Sequence, residues 1–276
     1  PVPISQEPTA PPSWTEPAEL QKMLAEVAEM TRENRKMTQT MSSQEAAKKR
    51  QQMRRERNRD NRKRSLNLLH WWFERMITTP APLREKMTLF WHDHFATSIQ
   101  KVKQPAFMFQ QNELLRSNSF GNFRELTQKI ASDPAMMIYL DTANSNKANP
   151  NENFARELLE LFTLGEGHYT EKDIREAARA FTGYRLRRLT GRIQAMPTQH
   201  DFGAKTFLGE TGKFTGPDII EIIFRNPRPA HFIAEKLWAF FVNDRPETDA
   251  EAVESLASVI LENNYEIKPA LAAMFC

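Results

Sequence analysis

The segment Asn151-Glu152-Asn153-Phe154-Ala155-Arg156-Glu157-Leu158-Leu159-Glu160-Leu161-Phe162-Thr163-Leu164-Gly165 carries the strongest structural signal in the chain. Asn151 is a good cap for the first turn of a helix over 152–164. Gly165 stands where a left-handed residue ends one. At about 100° per residue, with Phe154 at 0°, the residues Leu158, Leu161, Phe162 and Leu164 span about 280° round to about 80°. Leu159 and Ala155 widen that apolar arc. Glu152, Asn153, Arg156, Glu157, Glu160 and Thr163 share the opposite sector. An amphipathic helix docked on a core is therefore predicted, with Glu157 at the apolar edge and in need of a partner. Arg156 serves Glu152 and Glu160 at i±4 spacing.

The same signals recur outward from this helix. Thr170-Glu171-Lys172-Asp173 starts a helix in capping-box style, and Gly183 follows its end. Residues 184–196 alternate around Thr190-Gly191 and predict a β-hairpin. Residues 200–216 read as a Gly-containing loop, and helices are expected at 216–225, 229–242, 248–263 and 267–275. Upstream, Pro82 and Pro105 precede helices from Leu83 to about Ala96 and through Phe107–Leu115. Short helices are expected around 121–131 and 134–140. Leu20, Met23, Leu24, Val27 and Met30 give the stretch after Pro17 an amphipathic pattern. Residues 32–64, free of Gly and Pro, read either as a long solvated helix or as disordered chain. They run into Leu66, Leu68, Leu69, Trp71, Trp72, Phe73 and Met76, apolar enough to dock on a core. The expected fold class is all-α: an irregular multi-helix domain with one small β-hairpin insertion near 184–196. Its expected organisation is a Pro-rich lead-in (1–16), an amphipathic helix with a basic helix or linker (17–65), and a helical core (66–276).

Composition fits a globular protein of 276 residues, with 40% apolar and 26% charged residues. No apolar run of about 18 residues predicts a membrane-spanning helix. The opening Pro1-Val2-Pro3-Ile4 lacks a signal-peptide pattern, and the ends read as those of a fragment, truncated at the C-terminus. Cys276 is the only cysteine, which removes intrachain disulfides and cysteine-based zinc sites. The net charge of +3 is uneven. Lys48 to Arg64 holds ten Lys/Arg against Glu56 and Asp60, a local +8 that leaves −5 elsewhere.

Several segments are similar, in order, to the bacterial family called domain of unknown function 1800. They include Glu85-Lys86-Met87-Thr88-Leu89-Phe90-Trp91-His92-Asp93-His94-Phe95 and Gln111-Asn112-Glu113-Leu114-Leu115-Arg116. Next come the segment 151–165, Tyr169-Thr170-Glu171 and Ala177-Ala178-Arg179-Ala180-Phe181-Thr182-Gly183. His200-Asp201-Phe202-Gly203-Ala204-Lys205-Thr206-Phe207-Leu208-Gly209 and Phe232-Ile233-Ala234-Glu235-Lys236-Leu237-Trp238 complete the set. The resemblance is anchored on residues 66–276, and Tyr184 stands where the family commonly has Trp. It implies an exported protein, periplasmic or secreted. It also implies a possible partner: a neighbouring exported protein of the domain of unknown function 1501 family, which resembles sulfatases.

Candidate chemistry rests on a few side chains. Glu157, His200, His92, His94 and Asp201 are the candidates for acid–base work, since a carboxylate and a histidine are sufficient for it. Glu152, Asn153, Arg156, Glu160 and Lys205 are the candidates for binding. His92 and His94 are also the candidate ligands of a divalent metal. They lie about 200° apart on a helix, so they converge only if its last turn frays. The twelve residues Asp141–Glu152 have EF-hand length but Asn146 where that loop needs Gly. The run 48–64 suits an anionic polymer such as an acidic polysaccharide, yet no aromatic residue supplies a stacking platform. Export argues against nucleic acid. Three readings stay open. One is a binding or scaffold component acting with the sulfatase-like partner. A second is a polysaccharide hydrolase or lyase using a Glu/His pocket. The third is anionic-polymer binding through 48–64.

Overall fold

A computed structural model describes residues 9–39, 41–187 and 190–275. The architecture is all-α with two small antiparallel hairpins. Two long helices come first, α1 (Pro17–Gln39) and α2 (Ser43–Thr78). The polar stretch 32–64 is thus helical on both sides of the break between them. Ser42 and Glu45 form a capping box that starts α2, and α2 continues through residue 65 without interruption.

The packed body follows. It contains α3 (Pro82–His94), α4 (Ile99–Val102), α5 (Pro105–Ser117), α6 (Phe123–Ala131), α7 (Pro134–Tyr139) and α8 (Glu152–Glu157). A π-helix (Leu158–Thr163) continues α8 directly, and α9 (Glu171–Ala180) comes next. Proline opens α3, α5 and α7, where its missing N–H costs nothing. Thr170 and Asp173 form the expected capping box of α9. The predicted hairpin is β1 (Tyr184–Arg187) with β2 (Arg192–Ala195), in the register Tyr184↔Ala195 to Arg187↔Arg192. A second hairpin, β3 (Lys205–Phe207) with β4 (Glu210–Gly212), lies within the stretch read as loop. Its turn places Leu208 at φ 45° and Gly209 at φ 84°. Strands of three residues give no alternation to read, and Leu is an unusual occupant of a left-handed turn position. Four helices close the fold: α10 (Gly216–Arg225), α11 (Arg228–Phe241), α12 (Ala250–Glu262) and α13 (Ile267–Phe275). Arg188, Leu189 and Cys276 lie outside the described residues.

The main core gathers Met87, Trp91, Phe95, Phe123, Phe154, Leu158, Ile174, Ile219, Ile233, Ile260 and Leu271. A smaller cluster of Val102, Phe107, Met108, Met137, Ile138 and Leu186 sits under the first hairpin. Two expectations about burial need correction. The apolar end of α2 docks through buried Trp71, while Leu66, Leu69, Phe73 and Ile77 are exposed. In the segment 151–165, Leu161 is 48% exposed and Thr163 is fully buried, the reverse of the helical-wheel reading. The π-turn explains this. Leu164 N–H and Gly165 N–H both reach Leu159 O, at 2.9 and 3.1 Å, which rotates the last turn relative to an unbroken α-helix.

Among the described residues no helix is long and apolar enough to cross a membrane.

Candidate functional site

The end of the π-helix is the first place where quoted motifs meet. The last carbonyls of a helix have no intrahelical donor. Here three side chains from other elements supply one. Lys236 Nζ of α11 donates to Leu161 O at 3.1 Å. His94 Nε2 of α3 lies 3.1 Å from Phe162 O, and a carbonyl partner assigns the proton to that nitrogen. Arg228 Nε of α11 donates to Leu164 O at 2.8 Å, and its guanidinium pairs with Glu235 at 3.1 Å. Gly165 turns the chain at φ 81°.

His94 is enclosed by Phe90, Trp91, Phe95, Phe123, Phe162 and Phe232. Burial, then the Lys236 charge, holds its pKa well below the ordinary value, and the Phe162 bond only partly opposes them. It is a neutral imidazole whose buried Nδ1 has no hydrogen-bond partner among the described residues. His92 faces a different element: its ring meets Trp72 of α2 edge-on, with centroids 5.0 Å apart. Burial lowers its pKa too, against the opposing charge of Asp93. His92 Nδ1 and Trp72 Nε1 are also buried without a partner among the described residues. Among the described residues, no group of three or more His, Cys, Asp or Glu is placed to hold a metal.

The polar side of the same helix is tied to α9. Arg156 makes a bidentate pair with Glu171, at 2.8 and 2.9 Å, and reaches Glu152 at 3.6 Å. Glu160 is engaged elsewhere, accepting from Tyr169 Oη at 3.0 Å. Burial and this carboxylate push Tyr169 up to about 12. Asn153 is exposed, and its backbone N–H donates to the capping Asn151 side chain at 2.9 Å. Glu157 has no hydrogen bond or ion pair among the described residues. Partial burial, then the Glu160 charge, raises its pKa against the pull of Arg156.

The 200–205 loop is clasped to α9. Asp201 takes Arg179 through Nε at 2.7 Å and Nη2 at 3.2 Å, and accepts Gly203 N–H at 2.8 Å. Arg179 also pairs with Glu176 at 2.8 Å and donates to Ala204 O at 3.1 Å. The Arg179 guanidinium holds the Asp201 carboxyl below its usual value. Lys205 is only 1% exposed, and its Nζ donates to Asp201 O at 2.6 Å and Gly203 O at 3.1 Å. Desolvation lowers its pKa. His200 Nδ1 donates to Thr182 O at 2.8 Å. It sits so close over Gly183 that a Cβ there would meet His200 N at 2.8 Å.

His92, His94, Glu157 and His200 therefore occupy three neighbourhoods. No hydrogen bond or ring contact joins any two of them among the described residues. His94 caps the end of the helical segment whose side carries Glu157. His200 and Asp201 share the α9 clasp with Lys205. The Asp141–Glu152 loop is held by one long-range ion pair and by local bonds: Asp141, at φ 58°, pairs with Lys101 at 2.8 Å, and Asn146 Oδ1 accepts Ala148 and Asn149 N–H at 3.1 Å.

Two buried polar groups were not singled out by sequence. Glu85 accepts from both Arg75 and Arg116 at 2.7 Å, and Arg116 also pairs with Glu113. Both guanidiniums lie over the Trp71 ring. Glu85 and Arg116 belong to two of the motif segments, which was the available signal. Their 31-residue separation hides the pairing. Asp133 caps α7 through Met136 N–H at 2.8 Å and accepts Gln111 Nε2 at 2.8 Å, while Gln111 Oε1 accepts Thr97 Oγ1 at 2.5 Å. Burial raises the Asp133 carboxyl to about 7.

Fold and site together define an all-α protein, with two small hairpins, whose shared motifs meet as buried ion pairs and helix-end caps. The family described as "Protein of unknown function (DUF1800)" matches residues 6–276, and the chain belongs to it. The match takes in the first two helices, which the resemblance read from sequence left out. No curated protein and no solved structure matches the chain.

Proposed function

We propose that this chain is a binding or scaffold component, exported to the periplasm or beyond, that acts with a sulfatase-like partner protein. One observation carries the reading: most polar side chains in and beside the motif segments are spent on fastening one element to another. Arg179, Asp201 and Lys205 fasten a loop, and His94, Arg228 and Lys236 fasten a helix end. Groups committed in this way hold a shape for recognition, which is what a scaffold requires. The partner comes from the family resemblance. The test is to mix the purified chain with the neighbouring exported protein and measure complex formation by analytical ultracentrifugation. A complex is expected, and two species sedimenting independently at micromolar concentration sink the reading. Cell fractionation tests the placement.

A second reading, a polysaccharide hydrolase or lyase, draws on Glu157. A partly buried carboxyl with a raised pKa, and with no partner among the described residues, suits a general acid. Activity on acidic polysaccharides that disappears in Glu157→Gln, with the fold intact, is its signature. The third reading, anionic-polymer binding by 48–64, draws on a run that is exposed along nearly its whole length. It requires affinity that falls steeply with salt.

A further inference from the structure

The outward face of α2 is the feature that the packing leaves unexplained. Leu66, Leu69, Phe73 and Ile77 are 58, 50, 55 and 61% exposed. Neither core cluster includes them, even among its partly buried neighbours. Their spacing of three, four and four residues is that of one helix face. With buried Trp71 at 0°, they project at about 160° to about 240°, directly away from the body. The line runs on toward the N-terminus of the helix as cations. Lys48, Arg55, Arg59 and Arg62 project over the same sector, about 180° to about 240°. All four are exposed, and none makes an ion pair among the described residues. Glu56 and Asp60 point off the face, at about 300° and about 340°. One straight face therefore offers about 21 Å of positive charge followed by about 16 Å of bare apolar side chain.

We propose that this face binds an anionic lipid surface, with α2 lying flat on it. The apolar half inserts among the acyl chains, and the cationic half rests on the headgroups. Each signal alone gives weak, reversible adsorption, and the two together give stable docking. Other occupants fit less of the face. An anionic polymer uses the cations and leaves the four apolar side chains in water. A second copy meets too little area: four half-exposed side chains offer on the order of 400 Å2. Two copies would bury about 800 Å2, against the roughly 1,200 Å2 of a stable interface. Parallel pairing would also set two +8 runs side by side. A groove cannot wrap the helix, because its Trp71 side is already docked.

The test uses the full chain with vesicles of phosphatidylcholine alone and of phosphatidylcholine mixed with phosphatidylglycerol. Cosedimentation is expected with the anionic vesicles, at least about tenfold tighter than with neutral ones and weakened by salt. Two variants separate the halves: Leu66→Ser/Leu69→Ser/Phe73→Ser/Ile77→Ser, and Arg55→Glu/Arg59→Glu/Arg62→Glu. Each should weaken binding at least about tenfold with helical circular dichroism unchanged, because every substituted side chain is exposed. An environment-sensitive dye on Phe73→Cys, in a Cys276→Ser background, should shift to the blue on binding. That readout does not depend on how well the multiple variants fold. Absence of binding to anionic vesicles, undiminished binding of the apolar variant, or an unshifted dye each overturns the proposal. So does a dimer in solution that the apolar variant abolishes. Complex formation with the sulfatase-like partner is measured without lipid, so either result can fail while the other stands.

Discussion

Single residues in this protein do their work by satisfying buried polar groups. Glu85 is the plainest case, because its carboxylate is the shared partner of two guanidiniums, one of them almost wholly buried. Glu85→Ala leaves Arg116 buried beside only Glu113. We expect a loss of about 3–5 kcal/mol, read by urea unfolding. Asp133 behaves differently. Its folded-state pKa is raised, so the folded protein holds a proton that the unfolded chain releases between about pH 4 and about pH 7. Stability therefore falls as pH rises through that window. Asp133→Asn keeps an acceptor for Met136 N–H and Gln111 and removes the titration. The stability difference, variant minus wild type, should grow by at least about 1 kcal/mol from pH 5 to pH 8. A difference that stays flat across that range refutes the assignment. At Gly183, φ of 82° and the His200 backbone leave no room for a side chain. Gly183→Ala should cost about 1–3 kcal/mol.

Among the elements, the π-helix separates prediction from structure most clearly. Asn151, Gly165 and the apolar repeat were enough to bound the helical segment. Nothing in residue type marks where a helix widens from four to five residues between bonded groups. That choice is made by the elements around it. Lys236, His94 and Arg228 fix the positions of three carbonyls from outside the helix. The consequence is measurable. Leu161→Ser should cost under about 1 kcal/mol, whereas Leu158→Ala in the core should cost about 2–5 kcal/mol. A regular α-helix would have made Leu161 the equal of Leu158. The second hairpin escaped notice for a related reason: Leu208 and Gly209 form its turn, and its strands are stabilised by α9 beneath them. Leu208 N–H, for instance, donates to Asp173 Oδ1 at 2.8 Å.

For the molecule as a whole, pH sets two opposing trends. His94 and His92 have depressed pKa values in the fold, so the unfolded chain gains protons first as pH falls below the ordinary 6.5. Their contribution is fully present above that pH and is lost on acidification. Asp133 acts in the other direction between about pH 4 and about pH 7. Wild-type thermal stability should therefore show an acid limb below about pH 6.5. In Asp133→Asn that limb should be steeper, since the compensating trend is gone. Differential scanning calorimetry across pH 4.5–8 reads both curves, and identical profiles would count against the assignment. The long α2 extends the same division of labour to the whole chain, with one face docked through Trp71 and the opposite face bare.

The residues alone established the all-α class, the main helices, the capping boxes and the first hairpin, because these follow from local periodicity and backbone preference. They also picked out nearly all the segments that meet at the helix end and at the α9 clasp. What they could not supply was the partner of each polar side chain. Asp201 stands beside His200 in sequence but binds Arg179, and Arg156 prefers Glu171 to Glu160. Such pairings depend on which helices pack together, and that is decided by the burial of side chains far apart in the chain. The direction of the exposed stripe on α2 belongs to the same class. The spacing of its leucines was visible from the start, but which side of the helix would meet the core was settled only by the docking of Trp71.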